Sequence, residues 1–299
     1  CLFVGLLTLA TGCSNNQSSA SADSTIEIAH SKGSASVKQN AKKVAVFDFG
    51  VLDIMDNLNI NVEYAIPSDS LPTYLSKFEN ATNAGGIKEP DLEALYTFQP
   101  DVIFISGRQE SYYEELSKIA PTVYVEVNAA TYVQDVEKNT MNIAKIFNKE
   151  EEAKTKLTAI QKEIDDVKIR TASLDQKALI VLTNDGNISA YGAGSRFGLI
   201  HDTLGFPTAD ANIEVSTHGQ KVNYEYIAEI NPDILFVVDR TQVVSGSTTA
   251  TQTLDNDLIK STNAYKNGKI ISLSPDYWYL STGGLTSVSE MVKEAASAL

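Results

Sequence analysis

The sequence predicts an α/β protein of two Rossmann-like lobes joined by a single long, rigid helix. Three observations predict it. First, the chain repeats: "LEALYTFQPDVIFISGR" (92–108) aligns without gaps on "YEYIAEINPDILFVVDR" (224–240), placing Glu93 on Glu225, Pro100 on Pro232, Asp101 on Asp233, Phe104 on Phe236 and Arg108 on Arg240. In each copy, apolar residues at helical spacing lead through a proline into a short apolar run, the pattern of a helix followed by a buried parallel strand. Second, "NKEEEAKTKLTAIQKEIDDVKIR" (148–170) lies between the copies, contains no Gly or Pro, and sets Ala153, Leu157, Ile160, Ile164 and Val167 along one face. Third, 299 residues of 43% hydrophobic composition suffice for two cores.

The elements follow in order. "CLFVGLLTLATGCSNN" is an apolar run closing on small residues and Cys13. It reads as the end of a secretory signal over 1–12, too short to span a membrane as a finished helix. Residues 13–23 are polar and low in complexity, as suits a flexible tether. Cys1 falls in the leader, so a processed chain keeps Cys13 alone and forms no internal disulfide. The N-terminal lobe is assigned to 24–147. It starts with a hairpin in "STIEIAHSKGSASVKQN", then a strand and helix in "KKVAVFDFGVLDIMDNL" (42–58), the first repeat copy, and a later strand in "PTVYVEV" (121–127). The connecting helix takes 148–171, with Asn148 and Glu151 as its capping pair. The C-terminal lobe takes 172–299: a first strand in "KALIVLTNDG" (177–186), the second repeat copy, a strand in "GKIISLS" (268–274), and a last helix from about Leu285.

A net charge of −14 argues against nucleic acid and a polybasic membrane patch. Arginine is scarce, four residues against 20 lysines, and three of the four fall in loops after strands: Arg108, Arg196 in "YGAGSRFG", and Arg240. Arg170 lies near the end of the connector. Ligands of α/β sheets bind beyond the carboxyl ends of strands, and guanidinium forks suit planar anions. Three convergent arginines therefore point to an anionic ligand; pairing of each with a nearby carboxylate is the competing reading. Of three histidines, His30 in the hairpin and His201 on a packed helix read as structural. His218, in a loop beside Gly219, is placed to ligate a metal. "SPDYWYLSTGG" (274–284) sets Tyr277, Tyr279 and the sole tryptophan, Trp278, after a strand. A tyrosine there can hydrogen-bond, stack, or bind a hard metal as phenolate, with core packing as the competing reading for the rings. No G-x-S-x-G, Walker loop, HExxH or thiol nucleophile is present, so no enzyme is expected.

Together, "KKVAVFDFGVLDIMDNL", "GIKEPDLEALYTFQPDVIFIS", the connector, "NPDILFVVDR" and "YWYL" make residues 24–299 resemble the iron–siderophore substrate-binding lipoproteins of ABC importers, the class III two-lobed type with a helical backbone. The branch they resemble binds ferric catecholates of the enterobactin and petrobactin kind. Ala10-Thr11-Gly12-Cys13 resembles a lipoprotein lipobox, with Ala10 where leucine is usual, and this implies lipidation of Cys13. The resemblance implies that Arg108, Arg196 and Arg240 form a basic floor for catecholate oxygens. It implies that His218 and Tyr279 complete the iron(III) shell when the siderophore supplies only four donors, with Trp278 beside the ligand. Glu93 and Glu225 are the residues implied to dock on the permease. The protein expected is a monomer without intrinsic cofactor, held by its lipid on the outer face of a cell membrane, the Gram-positive arrangement. Iron(III) favours catecholate and phenolate oxygen, and a buried anionic chelate needs cations around it. Haem or cobalamin binding on the same fold, with His218 as an axial ligand, is the alternative. A surface hydrolase is the more distant one.

Overall fold

The computed structural model describes residues 24–244 and 246–299; the signal, tether and Cys13 expectations lie outside the described residues. In the N-terminal lobe, β1 (Thr25–His30) and β2 (Gly33–Lys38) form an antiparallel hairpin. Then come β3 (Lys43–Val46), α1 (Phe49–Asn57), β4 (Glu63–Ile66), β5 (Thr82–Asn83), α2 (Leu92–Phe98), β6 (Val102–Ile105), α3 (Tyr113–Ser117), β7 (Thr122–Tyr124) and α4 (Tyr132–Phe147). Their sheet is parallel throughout, in the order β5-β4-β3-β6-β7. The connector α5 spans Glu150–Thr171. The C-terminal lobe holds β8 (Ala178–Asn184), β9 (Asn187–Tyr191), β10 (Gln220–Val222), α6 (Tyr224–Ile230), β11 (Ile234–Asp239), α7 (Ala250–Leu254), α8 (Asp257–Lys260), α9 (Asn263–Lys266), β12 (Ile270–Leu273) and α10 (Leu285–Ala296). Among the described residues no helix is long and apolar enough to cross a membrane.

The second sheet repeats the spatial order of the first, β10-β9-β8-β11-β12, but β9 is reversed and pairs antiparallel with both β8 and β10. The cause is local. Asn184-Asp185-Gly186-Asn187 places Asp185 at φ 46 and Gly186 at φ +81, the two positive values that a tight two-residue hairpin turn requires. The chain therefore doubles back where the N-terminal lobe makes a crossover.

The repeated sequence has one structural reason in both lobes. Asp91 and Asn223 cap α2 and α6 by accepting from Ala94 N and Tyr226 N. Each helix ends on a left-handed residue, Gln99 or Asn231, one position before the proline. The conserved-in-both-copies aspartate then ties down the neighbouring first strand. Asp101 Oδ2 accepts from Lys42 N (2.6 Å) and Lys43 N (3.0 Å) at the start of β3, and Asp233 Oδ2 accepts from Lys177 N (3.0 Å) just before β8. The strands that follow, β6 and β11, are buried along their whole length, with Phe104 and Phe236 in the core.

The connector buries the face read from its spacing: Ala153, Ile160, Ile164 and Val167 are buried, and Leu157 is half-buried. Its expected cap is corrected. Asn148 is left-handed (φ 54) and closes α4, while Lys149 begins α5 without a side-chain cap. The Asn148 side chain instead accepts from Gln39 Nε2 (2.8 Å) and donates to Asn40 Oδ1 (2.9 Å). Asparagine tolerates this backbone region, which is why it fits the junction of two helices. The lobes also touch directly: α10 packs on α5 and α1, Thr73 N donates to Asp276 Oδ2 (3.0 Å), and the Tyr132 and Thr282 hydroxyls meet at 2.9 Å. Asp101→Ala removes the acceptor of two strand N–H groups; a loss of about 1–2 kcal/mol in urea unfolding is the expected result, and Asp101→Asn should lose less.

Candidate functional site

Four loops bring the cluster together. Arg108 lies in the turn Gly107–Tyr112 after β6, Arg240 opens the turn Arg240–Gln242 after β11, and Tyr279 lies in the π-helical turn Asp276–Leu280 after β12. All three leave the carboxyl ends of parallel strands. Arg196 arrives differently, because β9 runs the other way and ends at Tyr191 opposite Ile180. Phe197 then packs edge-on to Tyr191 (4.7 Å between centroids) and to Trp278 (6.4 Å), and so returns Arg196 to the cluster.

Tyr279 is the hub. Arg108 Nη2 donates to its backbone carbonyl at 2.6 Å and Arg196 Nη2 to the same oxygen at 3.4 Å. Arg240 Nε donates to its hydroxyl at 2.7 Å, and Arg240 Nη1 to Asn184 Oδ1 at 2.7 Å. The three guanidinium carbons stand 5.7, 4.5 and 5.4 Å from the ring centroid for Arg108, Arg196 and Arg240. Arg108 comes from one lobe and the others from its partner lobe, so the cluster spans both. All four side chains are half-buried. Among the described residues none of the three arginines is ion-paired with a carboxylate; their acceptors are a carbonyl, a phenol and an amide. The competing reading, local carboxylate pairs, does not hold here.

Sequence reasoning overlooked two groups that hold the arginines in place. Asn184 fixes Arg240, and its signal lay in the same "NDGN" that turns the chain. Gln109, fully buried, anchors the turn carrying Arg108: its Oε1 accepts from Ser106 N (3.0 Å) and its Nε2 donates to the carbonyls of Phe47 (3.4 Å) and Ile87.

The electrostatics follow from this geometry. Burial pushes the Tyr279 phenol up, but the Arg240 hydrogen bond and the charges of Arg240, Arg196 and Arg108 outweigh it, and its pKa falls below the ordinary phenol value. Burial, then the charge of Arg108, lowers the Arg196 guanidinium. The site thus holds uncompensated positive charge around an acidic phenol.

The three neighbouring rings part company on the π-helical turn. Tyr279 faces the arginines, and Tyr277 packs on Tyr74 (5.0 Å). Trp278 was expected beside the ligand; instead it is 1% exposed, with Nε1 donating to Glu294 Oε2 at 2.7 Å, so it belongs to the core. His218 lies exposed in the loop before β10 and makes no hydrogen bond to Tyr279 or the arginines. Its neighbour Gly219 presses on the Tyr191 ring, where an added Cβ would come within 2.7 Å. His30 stacks edge-on to Tyr113 (5.9 Å), and His201 Nδ1 pairs with the Phe206 carbonyl (2.8 Å); both are held inside their lobes. Glu93 and Glu225 are exposed in the first turns of α2 and α6. Arg170 is exposed on α5, 3.5 Å from the Ala296 carbonyl. Among the described residues no three His, Cys, Asp or Glu side chains gather into a metal site. A difference ultraviolet titration of wild type against Tyr279→Phe should show a phenol ionising below about 10, and Arg240→Ala should move it upward.

Comparison with known proteins agrees with the architecture. The chain is 43% identical to the petrobactin-binding protein YclQ of Bacillus subtilis (strain 168), over 100% of this chain and 98% of that protein. It is 33% identical to the ferric-anguibactin-binding protein FatB of Vibrio anguillarum, over 91% and 87%. The crystal structure of YclQ superposes with a TM-score of 0.88 over 92% of this chain and 98% of the other, at 44% identity. The iron uptake ABC transporter substrate-binding protein PiuA of Streptococcus pneumoniae Canada MDR_19A superposes with a TM-score of 0.89 over 93% and 100%, at 37% identity. Residues 54–277 match the periplasmic binding protein family, and the chain belongs to that family.

Proposed function

We propose that the protein captures a ferric siderophore with catecholate-type donors outside the cytoplasm and delivers it to an ABC importer. The observation that carries this reading is the convergence of Arg108, Arg196 and Arg240, from both lobes, on Tyr279 without a carboxylate among their partners. Two catecholates bring four negative charges to iron(III), so the complex is anionic, and a triscatecholate is more so. Burying such a charge requires cations, and guanidinium forks meet planar catecholate oxygens in two-pronged fashion. The names of relatives support the class of cargo: petrobactin for YclQ, ferric anguibactin for FatB, and two acinetobactin molecules with ferric iron for BauB.

Tyr279 carries the second part of the proposal. Its hydroxyl oxygen stands among three cations that favour the phenolate, the form that binds a hard metal. A chelator that fills only four positions on iron leaves room for Tyr279, and for His218 after its loop folds inward. A chelator that fills all six meets the arginines alone. Glu93 and Glu225, equivalent in the two lobes, are proposed to meet the permease, and Cys13 to carry the lipid anchor. The protein is proposed to work as a monomer and without catalysis.

Titration with ferric bis-catecholate and ferric tris-catecholate tests the reading. Buried Trp278 remains a fluorescent reporter, because energy transfers from it to the coloured chelate. Arg108→Ala or Arg240→Ala should weaken both complexes roughly ten- to a hundredfold, the scale of a lost charged hydrogen bond. His218→Ala and Tyr279→Phe should weaken the bis complex more than the tris; equal losses would remove direct ligation and leave the arginine role intact. Glu93→Lys with Glu225→Lys should stop cellular iron uptake while leaving binding unchanged.

A further inference from the structure

A buried carboxyl group lies where the lobes meet, outside the cluster just described. Asp53, on α1, is 0% exposed. Its Oδ1 accepts from Thr286 N (3.1 Å) and Asn57 Nδ2 (2.7 Å), and its Oδ2 accepts from Ser287 N (2.8 Å). Thr286 and Ser287 are the second and third residues of α10, whose N–H groups a capping side chain ordinarily satisfies. The residue at the cap is Gly284, which has no side chain to offer, and a Cβ there would lie 2.1 Å from Asp53 Oδ2. An N-terminal-lobe carboxyl group therefore caps a C-terminal-lobe helix.

The protons around Asp53 can be counted. Four oxygens form a chain: the Asp276 carbonyl, Ser281 Oγ, Tyr74 Oη and Asp53 Oδ2, with separations of 2.5, 2.8 and 3.1 Å. Three contacts need three protons. Serine and tyrosine supply one each, and a carbonyl supplies none. With Ser281 donating to Asp276 and Tyr74 donating to Ser281, Tyr74 Oη is left facing Asp53 Oδ2 with no proton between them. An ionised carboxylate leaves one contact as two facing lone-pair oxygens in a water-poor interface, which is costly. A neutral carboxylic acid donates to Tyr74 and completes the chain.

The surroundings agree. Tyr74, Tyr132 of α4 and Tyr277 of the 276–280 turn are the titratable groups that sense Asp53, and none is a cation. Burial raises the Asp53 pKa; the N–H donors of Ser287 and Thr286, and the Thr286 and Tyr74 hydroxyls that would donate to an ionised carboxylate, only partly oppose it.

We propose that Asp53 is protonated in the folded protein, and that its proton closes the hydrogen-bond chain holding the Tyr279-bearing segment against the N-terminal lobe. Ser281 follows Tyr279 by two residues, and Arg108 donates across the lobes to the Tyr279 carbonyl. Asp53 is thus a positioning residue that acts through Tyr74 and Ser281; its meaning for binding rests on the function proposed above, whereas its protonation does not. Because the folded pKa is raised, the stabilising contribution is fully present below the unfolded carboxyl value, about 3.9, and is lost as pH rises through the folded value.

Infrared difference spectroscopy of the unliganded protein at neutral pH tests the protonation directly. Wild type minus Asp53→Asn should show the carbonyl band of a neutral carboxyl group, sensitive to deuterium exchange. Tyr74→Phe keeps Asp53 but removes the oxygen it donates to, so the band should shift or vanish. Absence of the band in wild type, or a band unchanged in Tyr74→Phe, overturns the proposal and leaves the cargo reading untouched. Should Asp53→Asn not fold, wild type against Tyr74→Phe alone decides. For the positioning role, Tyr74→Phe should weaken ferric bis-catecholate binding roughly threefold to tenfold, the scale of one hydrogen bond. Unchanged affinity, with the band shifted, overturns the positioning role.

Discussion

Cations repel one another, and assembling three of them around one aromatic ring is unfavourable unless something holds them. A carboxylate at each arginine would be the simplest remedy, but it would cancel the charge. Here the partners of Arg108, Arg196 and Arg240 are neutral acceptors: the Tyr279 carbonyl, its hydroxyl and the Asn184 amide. Neutral acceptors fix direction without consuming charge. The result is a positive cluster in a chain of net charge −14, with the phenol softening the repulsion through its π face and its lowered pKa. Everything else in the fold must keep these groups in place.

That task falls to the frame between the lobes. A helix without glycine or proline, α5, joins them, and α10 lies against both α5 and α1. The loops bearing the cluster are tied down by buried polar groups: Gln109 under Arg108, and Asp53 with Tyr74 beneath the segment after Tyr279. Such contacts are short and directional, and they are buried, where water cannot replace them. A frame of this kind favours small adjustments between lobes over a wide hinge motion.

Much of this was legible in the sequence because it depends on local rules. The proline of the repeat marks the helix end, and the apolar face of α5 follows its spacing; the paired aspartates were visible, but not the distant strands they tie down. Arg108, Arg240 and Tyr279 were found because they follow parallel strands. The rest depended on geometry that spacing does not encode. The reversal at Asp185-Gly186 was printed in the chain, yet it reads as the tail of a strand until the partner strand is seen. Trp278 and Tyr279 are adjacent, and only the π-helical turn sends one inward and the other to the arginines. The capping of α10 by a residue 233 positions away leaves no local trace at all.

The cluster is unequally shared, and this bears on how cargo departs. Only Arg108 is supplied by the N-terminal lobe; Arg196, Arg240 and Tyr279 sit on the other. On the function proposed above, a slight swing of the N-terminal jaw would withdraw one guanidinium and bare one flank of the chelate, while the opposite jaw kept its grip. Unloading would then have a built-in direction, beginning at the edge that Arg108 vacates and ending at the tyrosine.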